Sequence, residues 1–187
     1  MRLVLLGPPG VGKGTQAKLI SQRLGVVHIS TGDILRREIS SGTELGDQAH
    51  EFVKAGSLVP DSIVNKMVAQ RLSAPDVAQG FLLDGYPRTV DQAEELDSYL
   101  TARAESLDVV IAFGCTEETV LARIQHRAEL EGRADDNTQT ALHRLRVYNE
   151  QTAPLLDYYQ TTSRLKTVDA SGTVDQVFEL AMGAIEA

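Results

Sequence analysis

The chain has 187 residues, 42% of them hydrophobic and 24% charged, with a formal net charge of −8. That is enough for one globular α/β domain with small insertions. The acidic balance speaks against a general nucleic-acid binder, and no apolar run approaches membrane-spanning length. Cys115 stands alone, which excludes an internal disulfide framework and a cysteine-built zinc site.

In chain order, Arg2–Leu6 is a short apolar strand that runs into Gly7-Pro8-Pro9-Gly10-Val11-Gly12-Lys13-Gly14-Thr15. Ala17, Ile20 and Leu24 then share one helix face, and Gly25 stops that helix. Val26–Ile29 reads as a buried strand. Ser30-Thr31-Gly32-Asp33 offers capping hydroxyls to the helix that continues through Ile39. Leu45, Ala49, Phe52 and Val53 mark a short helix ending at Gly56. Pro60 is the expected first position of a helix carrying Ile63, Val64, Met67, Val68 and Leu72.

Phe81–Leu83 is a third strand, ending in Asp84-Gly85-Tyr86-Pro87-Arg88, and a polar helix follows from Val90 to about Arg103. Leu107–Phe113 is a fourth strand. Thr116-Glu117-Glu118 caps a helix that reaches about Arg127. A polar, glycine-containing stretch covers 129–137. A long helix then runs to about Tyr159, bent near Pro154. Leu165–Val168 is a fifth strand, and Val174–Ile185 a closing helix. Five apolar strands alternating with helices predict a parallel sheet covered on both faces.

The loop at 7–15 has the form of a phosphate-binding P-loop. Its glycines let backbone N–H groups wrap close to phosphate oxygens, the next helix adds its positive N-terminal end, and Lys13 supplies a full charge. The strict pattern places Ser or Thr directly after the lysine; here Gly14 intervenes and the hydroxyl is Thr15. The polar motifs at 7–15, 30–33, 84–88 and 169–172 follow strands one, two, three and five, so all project to one sheet edge and can form one site. Asp84 ends a strand where P-loop proteins hold an acid near magnesium, either as a ligand or through water; a turn-capping aspartate is the alternative.

Arg36, Arg88, Arg123, Arg127, Arg133 and Arg144 fall in or beside these motifs, which in an acidic protein points to pockets for small anions. Arg123 and Arg127 share a helix face. Gly132-Arg133-Ala134-Asp135-Asp136 reads as a segment able to close over a phosphate chain. Surface arginines paired with Glu117, Glu129 or Glu131 are the plainer alternative. His28 is expected to be a satisfied core histidine, and His50, His126 and His143 isolated surface residues. Cys115 is expected to be packed rather than catalytic, and Tyr158-Tyr159 to serve helix packing.

The stretches 7–16, 28–33, 56–60, 84–88 and 132–136, together with Thr152-Ala153-Pro154-Leu155, resemble adenylate kinase in order along nearly the whole chain. The resemblance implies a P-loop NTPase fold, with a core at 1–29, 60–126 and 138–187, an AMP-binding domain at 30–59 and a short lid at 127–137. It implies reversible, magnesium-dependent phosphoryl transfer from ATP to AMP, giving two ADP. ATP contacts would come from Gly10, Val11, Gly12, Lys13, Gly14, Thr15, Arg127 and Gly172. AMP contacts would come from Thr31, Arg36, Ser57, Leu58, Val59, Gly85, Tyr86, Pro87, Arg88 and Gln92. Arg133 and Arg144 would bridge to the moving phosphoryl, with Arg123 beside them; Asp84 would hold magnesium through water.

The lid carries no cysteine and resembles the short form without structural zinc. Thr31 and Gln92 resemble the AMP-selective members rather than pyrimidine-monophosphate kinases. The chain departs from the family at Ala128, where glycine is common after the residue matching Arg127, and this bears on the lid hinge. The family is itself the standing example of lid and domain closure around substrates. A monomer in the cytoplasm is expected, since Met1-Arg2 leads directly into the first strand with no targeting segment. A nucleotide-dependent switch is the rival from another class, and the second phosphate site implied by the Gly-Tyr-Pro-Arg motif speaks against it.

Overall fold

The computed structural model describes residues 1–131 and 138–187, with side chains described for 1–126 and 139–187. Five strands form one parallel sheet in the order β2-β3-β1-β4-β5. They are β1 (Arg2–Leu6), β2 (Val27–Ser30), β3 (Phe81–Asp84), β4 (Val109–Gly114) and β5 (Leu165–Asp169). This is the sheet expected from the apolar runs.

Strand alternation divides the core. Val4, Leu6, Phe81, Leu83, Val110 and Ala112 point to one face, and Leu3, Leu5, Leu82, Val109, Ile111 and Phe113 to the other. The first face is covered by α4 (Asp61–Leu72), α5 (Val90–Thr101) and α8 (Pro154–Thr161). The second is covered by α1 (Lys13–Leu24) and α9 (Val174–Glu186). Because both faces are covered, the strands read as continuous apolar runs rather than alternating ones. A smaller cluster joins Val120 and Ile124 of α6 (Glu117–Glu131) to Ala141 and Leu145 of α7 (Thr138–Val147).

Between β2 and α4 the chain makes a two-helix excursion, α2 (Thr31–Ser40) and α3 (Glu44–Ala55). Ser30 caps α2 by accepting from the Asp33 N–H, and Thr43 caps α3 by accepting from the Gly46 N–H. The two helices meet at Gly46, where an added Cβ would lie 2.3 Å from the Glu38 carbonyl oxygen. Leu35 and Ala49 connect the excursion to the main core, whereas Phe52 points to solvent and is 37% exposed.

The register brings the strand ends level. Leu5 and Ser30 both stand opposite Asp84, Leu6 stands opposite Ala112, and Gly114 stands opposite Asp169. Several boundaries differ slightly from expectation. Helix α4 begins at Asp61, with Pro60 extended before it (φ −49°, ψ 136°), and α5 ends at Thr101. The expected bend before Pro154 is a π-helical turn over Tyr148–Thr152 that links α7 to α8. Helix α6 runs through Ala128, so the start of the expected lid is helical; Gly132–Asp136 and Arg133 lie outside the described residues. No helix among the described residues is long and apolar enough to cross a membrane.

Candidate active site

The loop between β1 and α1 sets the floor of a cleft of about 890 Å³. Gly10 has φ +83°, and a Cβ there would come within 2.5 Å of Ile124 Cγ1 and 3.0 Å of the Val120 carbonyl oxygen. Only glycine lets the loop turn while passing this close to α6. Gly12 takes the N-cap place of α1 with no side chain in the way, which leaves the first N–H groups of the helix facing the cleft. Lys13 arches back over the loop, its Nζ donating to the Gly7 carbonyl at 2.7 Å and the Pro8 carbonyl at 2.9 Å.

Strand β3 supplies the next groups. Asp84 is 9% exposed, and its Oδ2 lies 3.5 Å from where a Cβ on Gly14 would sit. His28 Nε2 stands 3.7 Å from the same oxygen. That nitrogen is buried with no hydrogen-bond partner among the described residues, and His28 lines the cleft. The expected satisfied core histidine is therefore corrected: an edge strand turns this ring toward the carboxylate at the mouth of the site.

Three arginines gather where the cleft narrows. Arg36, on α2, pairs with Asp33 one turn earlier. Arg88 donates from Nε to the Gly85 carbonyl at 2.8 Å, and its own carbonyl accepts from the buried Thr152 hydroxyl at 2.8 Å. Arg144 comes from α7. Arg88 is held down to about 10, first by burial, then by the like charge of Arg144, with Asp84 opposing and Arg36 adding to the depression. The site thus brings three guanidinium groups together at one narrowing.

A buried polar network lies behind the arginines. Gln92, 2% exposed, accepts from the Arg88 N–H at 2.7 Å and donates to Asp61 at 2.6 Å, while Thr89 donates to the other Asp61 oxygen at 2.7 Å. The amide has two donors and two lone pairs, so these two bonds use half its capacity. Tyr86 stands behind this network. It packs in the core at 2% exposed, and its hydroxyl donates to Asn65 at 2.8 Å and the Gln92 carbonyl at 3.0 Å. The aromatic ring is taken up by apolar packing, so Tyr86 supports the site from behind.

At the opposite rim, Arg123 donates to the carbonyls of Val11 (3.0 Å), Ala170 (2.8 Å) and Gly172 (3.3 Å). It joins the P-loop to the turn after β5, which Asp169 shapes by accepting from the Ser171 N–H. Cys115 lies nearby with its thiol raised above the usual range by burial, which disfavours the thiolate a nucleophile needs.

Gly10–Thr15, Arg36, Leu58, Asp84, Gly85, Pro87, Arg88, Arg123, Arg144 and Gly172 line this one cleft. Thr31, Ser57, Val59 and Gln92 line a smaller recess that shares Arg36, Arg88 and Arg144 with it. The side chains of Arg127 and Arg133 lie outside the described residues. Asp61 and Asn65 were not singled out from sequence, Thr152 entered only through the resemblance, and the expectation of His143 as an isolated surface residue is corrected by its 3.0 Å hydrogen bond to Ser57. Each reads locally as an ordinary helix residue, and only the packing of α4, α5 and α7 around the site gives it a partner.

A doubly covered parallel sheet, a lysine-bearing P-loop at its edge and a second recess crowded with arginines define a P-loop phosphotransferase that handles two phosphorylated substrates. Comparison with known proteins narrows the class. The adenylate kinase family profile matches residues 5–164. An adenylate kinase of Mycobacteroides abscessus is 54% identical over 178 residues, covering 95% of each chain. Those of Mycobacterium sp. strain MCS and Mycobacterium bovis are 51% and 49% identical, each over 185 residues and 99% of both chains. The chain belongs to the adenylate kinase family, and its reaction is the transfer of a phosphoryl group from ATP to AMP, giving two ADP.

Proposed function

We propose that the wide part of the cleft is the donor site and the recess the acceptor site. The observation that carries this is the Arg36–Arg88–Arg144 group, gathered between a P-loop and a second pocket, with Arg88 held down first by burial and then by its like-charged neighbours. On this reading Gly10–Thr15, Arg127 and Gly172 hold ATP, with Lys13 at the β and γ phosphates. Thr31, Arg36, Ser57–Val59, Gly85–Arg88 and Gln92 hold AMP, with Tyr86 acting through its backbone and by supporting Gln92. Arg123, Arg133 and Arg144 stabilise the moving phosphoryl. The corresponding division is a core of 1–29, 60–126 and 138–187, an AMP-binding unit of 30–59 and a lid of 127–137.

No general base is needed. A phosphate monoester carries roughly −1.5 to −2 at pH 7, so its attacking oxygen is already free of its proton. What the chain must do is bring two polyanions into line and neutralise charge spread over the transferring group. Guanidinium groups suit this because each can bind two oxygens in a plane. Breaking the resting bonds of Lys13 to Gly7 and Pro8, and of Arg88 to Gly85, frees donors that are already aimed into the cleft.

Magnesium fits the same site. Magnesium takes few carboxylates, several waters and substrate phosphates. Asp84 sets a carboxylate oxygen beside the P-loop at Gly14. Asp84 would hold the ion through water. When bound, it would supply charge neutralisation on the phosphates.

The reading also carries a monomer working in the cytoplasm. Sedimentation equilibrium should return one chain of 20.3 kDa. The decisive test is an acceptor panel. With ATP and magnesium, AMP should be converted to ADP far faster than CMP, UMP or GMP. ATP loss at the same rate without AMP would overturn the two-site reading.

A further inference from the structure

Ser57 and His143 stand 86 positions apart in sequence, yet Ser57 Oγ and His143 Nε2 share a hydrogen bond of 3.0 Å. Ser57 follows Gly56, the C-cap of α3, and opens the stretch Ser57–Val59 that lines the acceptor recess. His143 lies on α7 directly before Arg144, which faces both the recess and the wider cleft. The contact has breadth. A Cβ on Gly56 would come within 2.8 Å of Thr140 Cγ2 and 2.9 Å of Arg144 Cγ, so the backbone already rests on α7 beside the hydrogen bond. Thr140, His143 and Arg144 occupy positions i, i+3 and i+4, which is one helix face.

We propose that His143 is a positioning residue for the acceptor: by holding Ser57 it fixes the 57–59 stretch against the helix that carries Arg144, and so sets the spacing between the AMP pocket and the arginine that meets the moving phosphoryl. This rests on the assignment of 57–59 to the acceptor site. A hydroxyl both donates and accepts, and an imidazole nitrogen can do either according to tautomer, so the contact needs the ring nitrogen in place rather than a particular charge. Both residues are partly exposed, so removing either side chain leaves the apolar core intact.

A four-corner kinetic cycle tests it, using the full chain, Ser57→Ala, His143→Ala and the double variant, with thermal melts to verify folding. Each single change should raise KM for AMP about two- to tenfold, the weight of one net hydrogen bond. KM for ATP should stay within about twofold, and the double variant should be no worse than the poorer single one. His143→Gln, whose amide reaches the same place, should restore most of the loss. Additive effects across the cycle, no effect, or an equal rise in both KM values would overturn the proposal. Arg36→Ala, run alongside, separates the two failures. If it leaves KM for AMP unchanged, the acceptor assignment falls and the proposal with it. If it raises KM while the cycle shows no coupling, only the role of His143 falls.

Discussion

Arg88 concentrates the site's electrostatics in one side chain. Burial and the neighbouring Arg144 and Arg36 lower its pKa to about 10, while Asp84 pulls the other way. A phosphate docked beside it would raise that value again, so binding and protonation are linked. The guanidinium is charged below about 10 and discharges as pH rises through it. AMP affinity should therefore be intact below that pH and fall above it, with proton uptake on binding appearing in calorimetry near pH 10 and absent near neutrality. Arg88→Ala should lower turnover by roughly 10²- to 10³-fold, as for loss of one preorganised charge donor. The empty protein should melt no earlier, because the variant removes a buried like charge; a large drop in Tm would show instead that the bond to Gly85 is structural. Lys13→Ala should cost a similar factor in turnover with the fold kept, as judged by circular dichroism. These residues were legible because their motifs are local. His28 was not: its sequence context is an apolar strand, and only the register of β2 on β3 places the ring beside Asp84.

At the scale of elements, the acceptor unit depends on how closely α2 and α3 approach. A side chain at Gly46 would press into the Glu38 carbonyl, a backbone group that cannot rotate away. Gly46→Ala should cost about 1–3 kcal/mol in denaturant unfolding, and KM for AMP should rise more than KM for ATP. Equal changes in the two KM values would mean that the pair of helices serves the whole molecule. The strands were legible because each apolar run is bounded by a polar motif, and Ser30 caps α2 as the hydroxyls at 30–33 led one to expect. The support for Gln92 was not legible. Asp61 looks like an ordinary acid in a first helical turn, and its bond to Gln92 spans 31 positions and two helices.

For the molecule as a whole, the division of labour follows from the sheet. Both core faces are filled by helices, which leaves the carboxyl edge as the place where loops from β1, β2, β3 and β5 converge. Ligand bound there couples to global stability. A nucleotide at 100 times its Kd should add about 2.7 kcal/mol, seen as a rise in Tm of roughly 5–10 °C for a chain of this size. AMP and ATP together should exceed either alone.

The π-helical turn at Tyr148–Thr152 also settles a question of phase. Arg144 faces the cleft on one side of it, while Leu155 and Tyr159 are fully buried on the other, and Thr152 within it holds the Arg88 carbonyl. An α-helix advances by about 100° per residue, whereas the i→i+5 bond from the Ala153 N–H to the Tyr148 carbonyl spreads one turn over an extra residue, so the two halves of the rod keep their relative phase. Deleting one residue there should close the rod to a uniform α-helix with Arg144 and Leu155 still facing their own sides. Inserting one more would rotate α8 by about 100° against the sheet. This short irregularity should accordingly tolerate substitution, or the loss of one residue, at its exposed positions Asn149 and Glu150, and reject an insertion, read as a drop in Tm.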